Sequence, residues 1–395
     1  MAVTGLGVVS SIGIGRNSFW SSLIEGKSGI SNVSLFDTSK FSRHNGGEIK
    51  NFNPHDYVRN AKYMGRASQF AITATKLALA DAGMPADEIP EKNAVIIGTT
   101  LPEGSDIDSS SKGILEGEGT KIFERVMLNI LPSSISSNVS YYFGLTGQNL
   151  LIPNACSAGN YAIGYGFDLI KKGEIDTAIV GGAEALSRII FQGFQRLYAV
   201  APDICSPFDK NRKGMIPGEG AGILILENMD CAIKRKAKIY AEVAGYGLSC
   251  DAYHMTIPKK DGILKAMKKA LKNSGLDFNN IDYINAHGTG TAANDKEESA
   301  AIRELFPEKN IPVSSIKSMI GHTMGAASSI EAVACCLAIE NNMIPPTINF
   351  STPDPDCNID CVPNIPRKAP LTHVLNNGFA FGGNNSCIAF KGYDK

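Results

Sequence analysis

Gly262 to Gly275 reads GILKAMKKALKNSG, and after a short loop Ile281 to Thr291 reads IDYINAHGTGT. The first stretch spaces its apolar residues for a helix and closes it with glycine; the second begins as an apolar strand and ends in Gly-Thr repeats. The same succession stands earlier in the chain. Phe70 to Gly83, FAITATKLALADAG, predicts a helix stopped by glycine, and Ala94 to Thr100, AVIIGTT, predicts a strand ending in Gly-Thr. Helix, glycine stop, loop and strand, occurring twice, predict an α/β protein with internal duplication. Thr177–Gly182 (TAIVGG), Ala221–Glu227 (AGILILE) and Ile239–Tyr246 (IYAEVAGY) add short apolar runs of the kind a buried sheet needs. Between Leu101 and Gly119 the chain is polar and glycine-rich, LPEGSDIDSSSKGILEGEG, which predicts a long surface loop that shapes a site or an interface.

Composition excludes several classes of function. The 395 residues are 43% hydrophobic and 19% charged, enough for a sizeable core, and the formal net charge of −1 gives no global case for binding nucleic acid or an acidic membrane. Gly, Pro or charged residues interrupt every apolar stretch before it reaches membrane-spanning length. The opening MAVTGLGVVSSIG has no basic lead-in and reads as strand and turn, not as a signal peptide. The nine cysteines show no paired metal spacing, so reduced thiols in a cytoplasmic protein are the simplest reading, with no metal site.

One cysteine differs from the rest. Ile152 to Phe167 reads IPNACSAGNYAIGYGF, where Ala158, Tyr161, Ala162, Tyr165 and then Leu169 recur at helical spacing after a strand-like LLIP. Cys156 is therefore expected at a strand-to-helix turn, where unpaired N–H groups and the helix dipole favour the thiolate that attacks acyl groups. A buried small hydrophobe is the bland alternative. Two further stretches shift the balance. NAHGTGTAANDKEE, Asn285 to Glu298, carries His287 at a strand end, and SIKSMIGHTMGAA, Ser315 to Ala327, carries Lys317 and His322. Both histidines sit among small residues where backbone and substrate can come close, and neutral imidazoles suit a thioester carbonyl or a developing enolate. His44, His55, His254 and His373 read as ordinary surface or core residues. NNGFAFGGNN, Asn376 to Asn385, is a Gly-flanked aromatic loop, either a lid or a tight turn with Phe379 and Phe381 buried.

In this order the motifs resemble the β-ketoacyl-acyl carrier protein synthases, the elongating condensing enzymes of fatty acid and polyketide synthesis. VTGLGVVSSIG, GKSGIS and FDTS resemble the family's opening, NACSAG its nucleophile turn and SPFDKNRKGMIPGEGAG its central loop; NAHGTGT, SIKSMIGHTMGAA and GFAFGGNN complete the series. The resemblance covers essentially the whole chain. It implies the thiolase fold, two similar βαβαβαββ halves stacked as an α-β-α-β-α sandwich, divided here as residues 1–235 with the nucleophile and 236–395 with both histidines. It further implies Cys156 as acyl acceptor in a Cys156-His287-His322 triad, Lys317 in support and Glu298 as the acid pairing with it. Phe381 matches the gating phenylalanine, with Phe379 in the same loop, and the backbone N–H groups of Cys156 and Phe381 match the oxyanion hole. The implied reaction is decarboxylative condensation of an acyl-enzyme with malonyl-acyl carrier protein, with no cofactor. The implied partners are acyl- and malonyl-loaded carrier protein and a second copy of the chain, or, as in some polyketide members, a homologous subunit lacking the cysteine. Because carrier proteins are acidic, Lys62, Arg66, Lys210, Arg212 and Lys213 are candidates for a basic rim.

Some positions depart from the family pattern. Ala380 stands where Gly is usual, and the poor tolerance of Ala for positive φ is expected to restrict the lid. Asn384 replaces a common Thr, TTLPEG follows Gly98 in place of a Gly-rich turn, Leu101 falls where the acyl pocket is lined, and Asn160 follows the nucleophile turn. Together they suggest a specialised acyl chain from a polyketide or polyene pathway. Among rivals, a degradative thiolase would need a second catalytic Cys in a Cys-x-Gly turn, whereas Cys387 lies in the strand-like SCIAFKG. An initiating condensing enzyme would carry Cys-His-Asn. A chain-length-determining partner subunit would lack the nucleophile, and this chain keeps Cys156, His287, His322 and Lys317.

Overall fold

The computed structural model describes residues 1–117, 128–131 and 133–393. Ten strands form the main path of its large sheet and fall into two sets of five. The first comprises β1 (Ala2–Ser10), β2 (Asn93–Gly98), β3 (Gln148–Ile152), β4 (Thr177–Glu184) and β5 (Gly220–Glu227). The second comprises β6 (Ala241–Cys250), β7 (Tyr283–Asn285), β8 (Val313–Ser314), β9 (His373–Ala380) and β10 (Asn384–Lys391). Their spatial orders are β3-β2-β4-β5-β1 and β8-β7-β9-β10-β6, the same permutation twice. The pairing senses repeat too. In each set the first two pairs are parallel and the last two antiparallel. A short antiparallel contact, Ala2 with Glu242 and Val3 with Ala241, joins the two sets edge to edge.

Among the helices of the described residues, eight frame the layers and the site: α1 (Arg66–Asp81), α2 (Gly104–Leu115), α3 (Ser134–Phe143), α4 (Ala158–Lys171), α5 (Arg188–Arg196), α6 (Lys260–Ser274), α7 (Ala292–Leu305) and α8 (Ala327–Asn341). Helices α1 and α3 cover the outer face of the first sheet, α6 and α7 that of the second, and α4 and α8 lie together between the sheets. The result is the α-β-α-β-α sandwich. Its largest apolar cluster is central, where Ile163 and Phe167 of α4 and Ile330 and Val333 of α8 meet Val180, Leu224, Val243 and Ile388 from both sheets. α8 is almost wholly buried, which explains its small and apolar sequence, ASSIEAVACCLAIEN.

The helix expected over Phe70–Gly83 is α1, begun one turn earlier, and Gly83 takes the positive φ (60°) of a helix stop. The expected loop over Leu101–Gly119 is corrected: Gly104–Leu115 is helix α2, with the last two residues of the range outside the described ones. Ser109, Ser110 and Ser111 each donate a hydroxyl to a carbonyl four residues back, so a serine run that reads as loop is accommodated inside a helix.

Asn160, just after the nucleophile turn, ties the two halves together: its N–H donates to Ser328 Oγ (3.0 Å), its Nδ2 to Asn376 O and Ser386 Oγ (both 3.2 Å), and its Oδ1 accepts from Asn376 Nδ2 (2.9 Å). Asn160→Ala keeps the backbone N–H to Ser328 but strands the buried side-chain partners on Asn376 and Ser386, and is expected to cost about 3 kcal/mol in urea denaturation, with acyl-chain preference unchanged. Altered chain preference at unchanged stability would contradict this structural role.

Candidate active site

Cys156 lies where strand β3 gives way to helix α4, in the single 3₁₀ turn Ala155–Ser157. Ala155 enters the turn with φ 49°, a left-handed conformation that costs a non-glycine residue energy and aims the next side chain inward. The second half repeats the device. After β8 comes the 3₁₀ turn Met324–Ala326, entered by Met324 at φ 48° and continued by α8, with His322 just before it. The two helix starts are pressed together: a Cβ on Gly159 would lie 2.7 Å from Ser329 N. Duplication therefore brings the cysteine of one half against the histidine of the other.

His322 Nε2 is 3.1 Å from Cys156 Sγ, and the His287 ring stands edge-on to His322 at 5.3 Å between centroids. All three side chains are buried. The tautomers follow from their partners. The Met324 backbone N–H can only donate, and it points at His322 Nδ1 (3.2 Å). The Lys317 ammonium likewise points at His287 Nδ1 (3.4 Å) while also donating to His287 O (2.6 Å) and to Glu331. Each Nδ1 is thus an acceptor, so in a neutral ring each proton sits on Nε2. Burial, reinforced by the Lys317 charge, holds both imidazoles well below their usual pKa and keeps them neutral.

Glu298 does not pair with Lys317; this expectation is corrected. Its two oxygens accept the N–H groups of His287 (2.9 Å) and Gly288 (2.8 Å), with Asn377 Nδ2 at 3.2 Å, so it shapes the His287 loop. The acid on Lys317 is Glu331, on α8, fully buried with it. Its position among the small and apolar residues of a nearly wholly buried helix is the sequence signal for it.

The thiolate expected at the helix start is opposed by desolvation. Burial pushes the Cys156 thiol up to about 12, with the Lys317 charge acting in the opposite sense. Because thiolate is the reactive form, iodoacetamide labelling of Cys156 in the unliganded protein is expected to rise about tenfold per pH unit between roughly pH 7 and 9.5. Levelling off below about pH 9 would show a thiol with an ordinary or lowered pKa.

A cavity of about 70 Å³ accessible to water reaches Cys156, His287 and His322. Phe379 and Phe381 both line it, Phe379 buried against His287 (5.7 Å) and Phe381 partly exposed against Phe194 of α5 (5.7 Å). Ala380 is extended (φ −127°), and Gly382 and Gly383 carry the positive φ of the turn, so the expected strain at Ala380 is absent from this conformation. Leu101 packs behind the lining with Ile190, Phe194, Met215 and Met324. Missed residues include His254, which lines the cavity with Met255 and Thr256 at its exposed side, and Thr289 and Thr291 of the Gly-Thr repeat. Of the basic candidates, Lys62, Lys210 and Lys213 are exposed. Arg66 and Arg212 are corrected: Arg66 makes a two-pronged contact with buried Glu219, and Arg212, 6% exposed, is clamped between Asp295 and Asp354.

The sequence matches the family models for the beta-ketoacyl synthase N-terminal domain over residues 1–232 and its C-terminal domain over residues 240–351. It is 40% identical, over all of this chain and 98% of the other, to the 3-oxoacyl-[acyl-carrier-protein] synthase 2 of Synechocystis sp.. The ishigamide ketosynthase/chain length factor structure superposes with a TM-score of 0.97 at 42% identity, covering all of this chain and 99% of that one. A type II PKS ketosynthase, solved bound to the hexaketide in complex with its acyl-carrier protein, superposes at 0.90 with 33% identity and the same coverages.

Proposed function

We propose a function that proceeds from one fact: the chain belongs to the β-ketoacyl synthase family, and is a condensing acyltransferase of fatty acid or polyketide synthesis. The observation that carries the residue-level reading is the buried Cys156 Sγ beside two imidazoles whose Nε2 protons are fixed by partners at Nδ1. Cys156 attacks the thioester of an acyl-carrier protein, its proton leaving with the carrier thiol and the acyl group staying on Sγ. The N–H groups of Cys156 and Phe381 hold the tetrahedral oxyanion. Malonyl-carrier protein follows. Its thioester carbonyl accepts from both Nε2–H groups, the bond to the carboxylate breaks, and CO2 leaves as its electron pair forms the enolate. The enolate carbon attacks the acyl-Cys156 carbonyl, and the carbon–sulfur bond breaks to leave a β-ketoacyl-carrier protein and a thiolate that takes up one proton. His322 donates to that thiolate, which offsets the desolvation that otherwise keeps the thiol protonated.

Opening of the Phe194–Phe381 contact admits the acyl chain past Leu101, and its closure keeps water from the acyl-enzyme. Lys62, Lys210 and Lys213 offer the basic charges for an acidic carrier. The partly exposed edge of β3, with Leu150 to Ile152, leaves a row of backbone groups for strand addition by a second copy or a homologous subunit. The boundary between halves falls near 235/236, between β5 and β6. Free cysteines throughout fit a reducing cytoplasm. The chain-length subunit reading is disfavoured, because this chain retains the cysteine and both histidines. Incubation with malonyl-carrier protein and a panel of saturated and polyunsaturated acyl-carrier proteins tests the function: the expected product is a carrier-bound β-ketoacyl chain two carbons longer, with one CO2 released. No product from any donor would overturn it.

A further inference from the structure

Gly325 is the residue that follows the positive-φ position of the second elbow, as Cys156 does in the first. Its N–H is not left for a substrate. It donates to Glu184 Oε2 at 3.0 Å, and the same oxygen receives the N–H of Thr100 at 2.6 Å, while Oε1 receives that of Leu101 at 2.9 Å. Glu184 ends strand β4 and is fully buried. One carboxylate therefore joins the segment after β2, which carries Leu101, to the turn that directly follows His322. The joint has little slack, since a Cβ on Gly325 would lie 2.4 Å from Thr99 and one on Gly182 would lie 2.5 Å from Gly325 O. Met324, between His322 and Gly325, gives its N–H to His322 Nδ1 and its side chain to the cluster with Leu101 and Phe194.

We propose that Glu184 is a positioning residue for the reaction: by holding Gly325 against Thr100 and Leu101 it fixes the Met324 N–H that sets the His322 tautomer, and so the aim of His322 Nε2. The inference rests on the reading of His322 given above. An unpaired carboxylate would be expelled from such a site; three backbone N–H groups make this one hold the chain from both sides. Burial pushes its pKa up to about 7 against those hydrogen bonds, so assays at about pH 8 read mainly the ionised side chain.

Glu184→Gln keeps the shape but turns an NH2 group toward backbone N–H donors. Transacylation, which draws on His322 Nε2 only through its contact with Cys156 Sγ, is expected to slow by no more than about threefold, while malonyl decarboxylation, which needs that Nε2–H aimed at the thioester carbonyl, falls on the order of 10- to 100-fold at unchanged KM. Asp81→Asn is the control for general destabilisation, since Asp81 also accepts a backbone N–H, that of Leu6 (2.9 Å), and does not line the cavity. It should lower the melting temperature without splitting the two half-reactions. Equal losses in both half-reactions of Glu184→Gln, or no loss, would overturn the proposal. If that variant does not fold, hydrogen exchange on wild-type protein decides: amides of 99–101 and of 323–327 should change together when Cys156 is acyl-loaded, and a response confined to 99–101 would overturn the coupling. Wild-type protein that neither loads nor condenses would instead sink the function, a distinguishable result.

Discussion

Replacing Lys317 by methionine lowers condensation turnover by about 10²–10³-fold and weakens the fold in a pH-dependent way. Lys317 spends its three N–H donors on His287 Nδ1, His287 O and Glu331, all within the core. Without the ammonium, nothing holds the His287 proton on Nε2, and the enolate loses one of its two donors. Glu331 loses its ion-pair partner, and among the described residues its second oxygen already has no hydrogen-bond partner. A buried carboxylate so abandoned costs about 3–5 kcal/mol while ionised. Burial raises the Glu331 pKa to about 7 even with Lys317 present, and removing the cation raises it further. A carboxyl whose folded pKa lies above its unfolded value binds more protons when folded, so stability falls as pH rises through that interval. The deficit of Lys317→Met relative to wild type should therefore be larger at about pH 8 than at about pH 5.5 in urea titrations. A deficit that grows on acidification would contradict the charge assignment.

The two histidines separate the half-reactions. Both supply an Nε2–H to the malonyl carbonyl, so His287→Ala and His322→Ala should each slow malonyl decarboxylation by about 10²–10³-fold. Only His322 touches Sγ, so only its loss should also slow acyl transfer to Cys156. The double variant should lose less than the product of the single losses, because both donors serve one oxygen. Quench-flow measurement of CO2 release and acyl loading resolves the pattern. Equal effects of both variants on loading would contradict the placement of His287.

The fold was legible because duplication is written in the chain twice, in glycine-stopped helices and in Gly-Thr strand ends, and sheets buried on both faces demand uninterrupted apolar runs. Cys156, His287 and His322 stood out through their small neighbours. Helix α2 did not, because its serines satisfy themselves against their own helix and leave no apolar stripe to read. The Lys317–Glu331 pair was misassigned to Glu298 because sequence proximity to the His287 motif carries no information about which buried acid the lysine meets. Arg66 and Arg212 carry the charge of a docking rim but are spent on Glu219, Asp295 and Asp354, partners distant in sequence. Ala380 read as strained only because φ cannot be read from residue type; the neighbouring glycines take the turn. His254 gave no signal beyond its identity.

The central claim is that Cys156 carries the acyl chain, and intact-protein mass spectrometry after incubation with acyl-carrier proteins tests it most directly. The account predicts a mass gain of one acyl group, absent in Cys156→Ala and discharged on addition of malonyl-carrier protein. An acyl adduct that persists in Cys156→Ala, or one that malonyl-carrier protein leaves in place, would contradict it.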